Sequence, residues 1–161
     1  NFNKGGIAQK IIHEIKYNGQ EELGKSIGEW FGYHSRDKIH ESNIDVIVPI
    51  PLHVAKRKRR GYNQSELIAL GLSNALAIPC ETNLLIRTKH TSTQTKKGKT
   101  ERWLNVENIF KLNTSNIDIE NKHILLVDDV ITTGATIESA AYMLNTNSVA
   151  KISVACIASG R

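Results

Sequence analysis

His123-Ile124-Leu125-Leu126-Val127-Asp128-Asp129-Val130-Ile131-Thr132-Thr133-Gly134-Ala135-Thr136 is the stretch whose reading decides the fold. Residues 124–127 form a short apolar run, the pattern of a strand buried on both faces of a parallel sheet. Two carboxylates, Asp128 and Asp129, follow at once, and then a small, hydroxyl-rich turn, 132–136. Beyond it Ile137, Ala140, Ala141 and Leu144 recur at helical spacing. The order strand, acidic pair, Thr/Gly turn, helix puts the turn at the carboxyl end of a strand and the amino end of a helix. Open α/β sheets bind ligands at that edge. Free backbone N–H groups and the positive end of the helix dipole face an anion there. The threonine hydroxyls add donors, and Gly134 lets backbone come close to a phosphate. Ionised carboxylates only accept hydrogen bonds, so the acidic pair suits a diol. Cradle and acceptors together fit a ribose 5-phosphate. Asp128 also resembles the acidic residue of a P-loop protein, but the chain contains no Gly-x-x-x-x-Gly-Lys-Ser/Thr.

Outward from this stretch, the 161 residues suffice for one domain with a sizeable core, and we expect residues 1–161 to form one, with helices in 1–40. Hydrophobic content of 40% and charged content of 23% are those of a globular protein. No apolar run approaches membrane-spanning length and no signal-peptide pattern opens the chain, so a cytoplasmic location without membrane contact is expected. Met143 is the only methionine, so Asn1 is not an initiator position and a segment is expected upstream. Cys80 and Cys156 are isolated and read as reduced thiols. The net charge of +5 favours anionic partners: nucleic acid, phosphorylated metabolites or acidic lipid.

Taken in order, 6–16 reads as a helix with Ile7, Ile11, Ile12 and Ile15 as its apolar stripe. Lys16 and Tyr17, at its end, are expected to face solvent, with a ligand contact as the alternative. A second helix, about 20–33, carries Leu23, Ile27, Trp30 and Phe31 on one side. Residues 45–48 are β-branched and read as a buried strand that stops near Pro49, because proline cannot donate to a central ladder. The basic run 56–60 reads as a surface loop, a nucleic-acid patch or a polyphosphate contact, since it follows a loop at the binding edge. A helix is expected over 65–77, capped by Asn63 or Ser65. Residues 84–86, 108–112 and 151–157 are further strand candidates. The polar stretch 88–107 reads as a long functional loop. Alternating strands and helices imply a mostly parallel α/β sheet flanked by helices.

The residues 124–136 resemble the phosphoribosyl pyrophosphate (PRPP) motif of type I phosphoribosyltransferases: four apolar residues, Asp-Asp, two apolar residues and Thr-Thr-Gly-Ala-Thr in register. Two further blocks, 60–69 (Arg-Gly-Tyr-Asn-Gln-Ser-Glu-Leu-Ile-Ala) and Gln94 with 102–106, are similar to the ComF competence-type proteins, which are related to glutamine PRPP amidotransferases. The resemblance covers nearly the whole chain. It implies a type I phosphoribosyltransferase fold with a small hood, and Mg²⁺ carried on PRPP oxygens near Asp128 and Asp129. By the same resemblance Thr132, Thr133, Gly134, Ala135 and Thr136 hold the 5-phosphate, and Pro49, Ile50, Pro51 and Leu52 face pyrophosphate. A flexible loop with Gln94, Lys96, Lys97 and Arg102 closes over the site, with Arg102 joining Asp128 and Asp129 in catalysis. The implied reaction is displacement of pyrophosphate from ribose C1 by a nitrogenous nucleophile. The chain departs from many ComF-like proteins in lacking a cysteine-rich zinc segment, and from amidotransferases in lacking a glutaminase domain. A second reading therefore stands beside the enzyme: a non-catalytic PRPP- or nucleotide-binding accessory of DNA uptake, with weak single-stranded DNA contacts. Oligomeric state is not readable from the residues, and a homodimer stays among the open arrangements.

Overall fold

The computed structural model describes residues 6–88, 109–113 and 117–160. In chain order the elements are α1 (Ile7–Tyr17), α2 (Glu21–His34), α3 (Arg36–Glu41), β1 (Val46–Pro49), α4 (Val54–Arg60), α5 (Gln64–Leu76), β2 (Leu85–Arg87), β3 (Phe110–Leu112), β4 (His123–Ile131), α6 (Ala135–Asn145) and β5 (Lys151–Ser159). The strands β1, β4 and β5 form a parallel sheet in the order β1–β4–β5, with Val46 opposite Ile124 and Ile124 opposite Ile152.

Side chains alternate across a strand, and the core follows that period. Val46, Val48, Ile124 and Leu126 turn to one face, where Ala140 and Leu144 of α6 meet Leu84, Leu85 and Phe110. Ile47, Leu125 and Val127 turn to the other, against Ile68, Ala69, Leu72 and Leu76 of α5. Both faces are therefore covered, as the unbroken apolar runs of β1 and β4 require.

The strand candidates 84–86 and 108–112 form β2 and β3, outside the parallel sheet, while two other expectations are corrected here. The strands β2 and β3 pair antiparallel with each other, Leu85 opposite Leu112, because Leu85 and Phe110 are drawn into the core on the α6 face instead of to a sheet edge. The basic run is not a loop but the body of α4, capped by the His53 side chain, which accepts from the Ala55 amide at 3.2 Å. Its cations gather at the helix C-terminus, where the dipole favours them. Finally, of the expected α2 face Leu23, Ile27 and Phe31 do pack against the core, but Trp30 does not, and the closest contact is made by glycines. Trp30 is 59% exposed, and the buried positions are Gly24, Gly28 and Gly32.

Those glycines, one turn apart, let α2 and α5 cross with backbone against backbone. A Cβ placed on Gly28 would lie 2.2 Å from the Ile68 carbonyl oxygen, and one on Gly71 of α5 would lie 2.1 Å from the Lys25 carbonyl oxygen. The crossing fixes α5, and with it the amino end of α5 that reaches the site. Gly28→Ala should therefore overpack the crossing and lower unfolding free energy by about 3 kcal/mol. Urea titration checks this, and a variant as stable as the parent would show that the helices can part without cost.

Candidate functional site

The loop after β1 begins beside the acidic pair because of register. Pro49 lies opposite Val127, and the Ile50 amide donates to the Val127 carbonyl at 2.8 Å. The structure thus brings Pro49, Ile50, Pro51 and Leu52 to the carboxyl end of β4. Asn63 ties α5 to the same loop: its Nδ2 donates to the Ile50 carbonyl at 3.0 Å, while its Oδ1 accepts from the Ser65 amide at 3.3 Å as the N-cap.

The strand β4 runs to Ile131, so Asp128 and Asp129 stand inside it, not just after it. The pairing with β5 keeps step from Asp128–Cys156 to Val130–Ala158 and passes over Asp129. The carboxylates themselves take up amides there. Asp128 Oδ1 accepts from the Asp129 amide at 2.9 Å, and Asp129 Oδ1 accepts from the Val130 amide at 2.9 Å. Adjacent strand residues leave on opposite faces, and the two carboxylates find different partners. The Ser65 hydroxyl donates to Asp128 Oδ1 at 2.8 Å. Asp129, 5% exposed, has its Oδ2 paired with the Lys16 ammonium and accepts no hydrogen bond there from any other group among the described residues. Burial, with the neighbouring Asp129 charge adding to it, pushes the Asp128 carboxyl up to about 7, and the Ser65 hydroxyl works against that shift. Arg87 of β2 lies in the same field: burial lowers its value and Asp128 raises it.

Downstream, Gly134 sits at φ +83°, the left-handed region that favours glycine, and serves as N-cap of α6. No side chain caps that helix in the usual way. The local contact is the Ala135 amide donating to Thr133 Oγ1 at 3.5 Å. Thr132 and Thr133 are exposed and Thr136 is half-buried. Amide donors of the first turn thus face outward beside the acidic pair, an arrangement that accepts an anion.

Gln94, Lys96, Lys97 and Arg102 lie outside the described residues. Lys16, expected in solvent, is a correction: it is the partner of Asp129. Ser65 and Arg87 were not read as site residues. The block 60–69 did carry a signal for Ser65, because an Asn cap three residues after Arg60 puts the next hydroxyl at a helix start. Nothing in the sequence around Arg87 marks it. Lys16 also lines a cavity of about 170 Å³ together with Tyr17, Gly19, Arg59, Arg60 and Tyr62. Both cysteines are free thiols, and burial pushes Cys80 up to about 12. No helix among the described residues is long and apolar enough to cross a membrane.

The phosphoribosyl transferase domain family matches residues 16–161. Competence protein F of Haemophilus influenzae is 33% identical over 147 residues, which cover 89% of this chain and 64% of that protein. DNA utilization protein YhgH of Escherichia coli K12 is 31% identical over 150 residues, covering 91% of this chain and 65% of that protein. The chain thus spans less than two thirds of the length of these relatives. Among solved structures, the glutamine PRPP amidotransferase from B. subtilis, complexed with ADP and GMP, superposes with a TM-score of 0.57 at 20% identity, over 90% of this chain and 30% of that one. That likeness is one of fold. The chain belongs to the phosphoribosyl transferase domain family, with the ComF competence-type proteins, and its α/β architecture is that of the type I phosphoribosyltransferases.

The raised Asp128 value has a consequence for stability. Ionising this carboxyl costs folding free energy, a cost absent below the ordinary value of 3.8 and complete above about 7. Asp128→Asn keeps an oxygen for the Ser65 and Asp129 donors and removes the charge. The variant should gain on the parent by on the order of 1–3 kcal/mol as pH is raised from about 5 to about 8. Thermal unfolding across that range checks it, and a difference independent of pH would show an unshifted carboxyl.

Proposed function

We propose that this domain binds PRPP and transfers its phosphoribosyl group to a nitrogenous nucleophile, releasing pyrophosphate. The observation that carries the reading is the pairing, across one short turn, of two fixed carboxylates on β4 with the Gly134-led amino end of α6. In this reading the ribose 2- and 3-hydroxyls donate to Asp128 and Asp129. The 5-phosphate accepts from the amides and hydroxyls of Thr132, Thr133, Gly134, Ala135 and Thr136. The pyrophosphate group lies toward Pro49, Ile50, Pro51 and Leu52, whose side chains are apolar; the two prolines carry no N–H and the Ile50 amide is given to Val127, which leaves the Leu52 amide as the donor of these four.

The donor set suits Mg²⁺. Asp128 and Asp129 offer oxygen alone, and no group of three metal-ligating side chains occurs among the described residues to make an all-protein cage. Asp129 Oδ2 already faces a cation. Mg²⁺ is commonly held by one or two carboxylates with substrate phosphates and waters. When bound, it would neutralise charge developing on the departing pyrophosphate. The chain's own work is then positioning. The carboxylates orient the ribose and stabilise positive charge that develops on the ring, while the α6 amides fix the far end of the substrate. Arg102 would supply a further positive charge at the leaving group.

A second reading is kept because of the relatives' names: competence protein F and DNA utilization protein. In that reading the domain binds PRPP or a nucleotide without turnover and serves DNA uptake. Pyrophosphate release from PRPP with a panel of nitrogenous acceptors separates the two, since binding without release across the panel favours the accessory role. For either reading, Asp128→Asn with Asp129→Asn should weaken PRPP binding by at least ~100-fold, the loss of two charged acceptors. Gly134→Val should weaken it too, because a β-branched side chain strains the left-handed turn and fills the cradle. Calorimetry on folded variants checks both, and unchanged PRPP affinity in the double variant would refute the ribose assignment.

A further inference from the structure

Lys16 belongs to two places at once. Its ammonium is the ion-pair partner of Asp129 Oδ2, and its side chain lines the cavity that also holds Arg59, Arg60, Tyr17 and Tyr62. No carboxylate lines that cavity among the described residues. The cations around it come from three elements. Lys56, on α4, is held below its ordinary value by burial and then by the charges of Arg87, Arg60, Arg59 and Lys16, which places all five within one positive field.

The members of this set are not equally free to move. Arg60 is committed: its Nη1 donates to Gln64 Oε1 and its guanidinium lies 5.5 Å from the Tyr17 ring centre. The α1 backbone is committed as well. The Tyr62 hydroxyl donates to the Ile15 carbonyl at 2.5 Å, and the Ile15 side chain is buried in the core. Lys16 can therefore leave Asp129 without releasing the helix that carries it. An ammonium on a flexible four-carbon stem is suited to such a swing. In turn, Asp129 Oδ2 has no other donor among the described residues, so Lys16 is the described group with which an incoming cation or hydroxyl competes for that oxygen.

We propose, resting on the PRPP reading above, that Lys16 is an exchangeable counter-ion: it neutralises Asp129 in the ligand-free protein, and passes to a pyrophosphate group in the adjoining Arg59–Arg60 cavity when the substrate's ribose, or a cation it brings, claims Asp129. The device keeps a buried carboxylate paired before binding and lets Asp129 and the leaving group compete for one positive charge, a competition that the seated ribose decides for the leaving group. It also supplies the side-chain donors for pyrophosphate that the Pro49, Ile50, Pro51 and Leu52 side chains lack.

The test is calorimetry with two separate probes: inorganic pyrophosphate without Mg²⁺, and ribose 5-phosphate with Mg²⁺. Lys16→Gln should lose about 10-fold or more in pyrophosphate affinity, the worth of one charged hydrogen bond, while ribose 5-phosphate binds as well as or better than in the parent. Asp129→Asn should do the reverse, tightening pyrophosphate several-fold because Lys16 is released and weakening ribose 5-phosphate. A lysine with only a structural role would not produce this crossed pattern. Should Lys16→Gln fail to fold, the gain in Asp129→Asn decides alone. Pyrophosphate affinity unchanged in the folded variants, or a parent that binds no pyrophosphate, overturns the exchange. A parent that binds neither ribose 5-phosphate nor PRPP instead overturns the PRPP reading beneath it.

Discussion

Two carboxylates on adjacent residues of a buried strand have to be given partners before a sheet can close over them. Leaving either ionised and unpaired would cost several kcal/mol. Much of the molecule is organised around meeting that demand. Two backbone amides of β4 itself bend to the side chains, at the expense of the ladder at Asp129. The Ser65 hydroxyl comes from the first turn of α5 and the Lys16 ammonium from the last turn of α1. Each of these is fixed by a further contact. Asn63 caps α5 and ties it to Ile50, Tyr62 ties α1 at Ile15, and the glycine crossing of α2 on α5 holds the whole α5 axis at its distance from the sheet.

The demand is met incompletely on purpose, in the sense that matters for ligands. The pairing of Asp129 is to a flexible ammonium, and Asp128 remains elevated to about 7 despite its two donors. A site whose acceptors were fully satisfied by rigid donors would have nothing to offer a sugar. The surrounding cations act in the same sense. Lys16, Lys56, Arg59, Arg60 and Arg87 repel one another, and an anion that enters their field relieves that repulsion as well as making its own hydrogen bonds. The net charge of +5 is thus not spread evenly in effect, because part of it is concentrated next to the acidic strand end.

How far this could be read from the sequence depends on the range of the interactions. The motif 124–136 is contiguous, and its strand, turn and helix are local, so the parallel strand and the Gly134 turn were legible, although the strand runs on through both aspartates. So were β1 and its proline stop, and the Asn63 cap. What was not legible depends on partners distant in the chain. Glycine contributes nothing to hydrophobic periodicity, so Gly24, Gly28 and Gly32 were passed over in favour of Trp30. Their meaning lies in Gly71 and Ala75, more than forty residues on. The pair β2–β3 has the composition of sheet strands, and only the burial of Phe110 under α6 decides that it stands apart. In α4 the density of charge hid a helix, since like charges one turn apart oppose helix formation and the His53 cap and the dipole had to outweigh them.

Lys16 is the most instructive of these, because its placement follows from a rule that was available. It lies four residues after Ile12 and one after Ile15, both of which are buried. Residues four apart share a helix face, so Lys16 departs from the flank of the buried stripe and not from its opposite side. A lysine there has two options. It can run its aliphatic stem along the core to reach water, which is the general expectation, or it can find a buried anion within the length of that stem. Periodicity alone cannot choose, since both options bury the stem equally. The choice is made by β4, more than a hundred residues later, which presents Asp129 at the point where the stem ends. A flanking lysine on a helix that packs over the carboxyl end of an acidic strand is therefore better assigned to the strand than to solvent. The energetic reason is asymmetric: the lysine is indifferent between water and a carboxylate, but the buried carboxylate is not indifferent to losing the lysine.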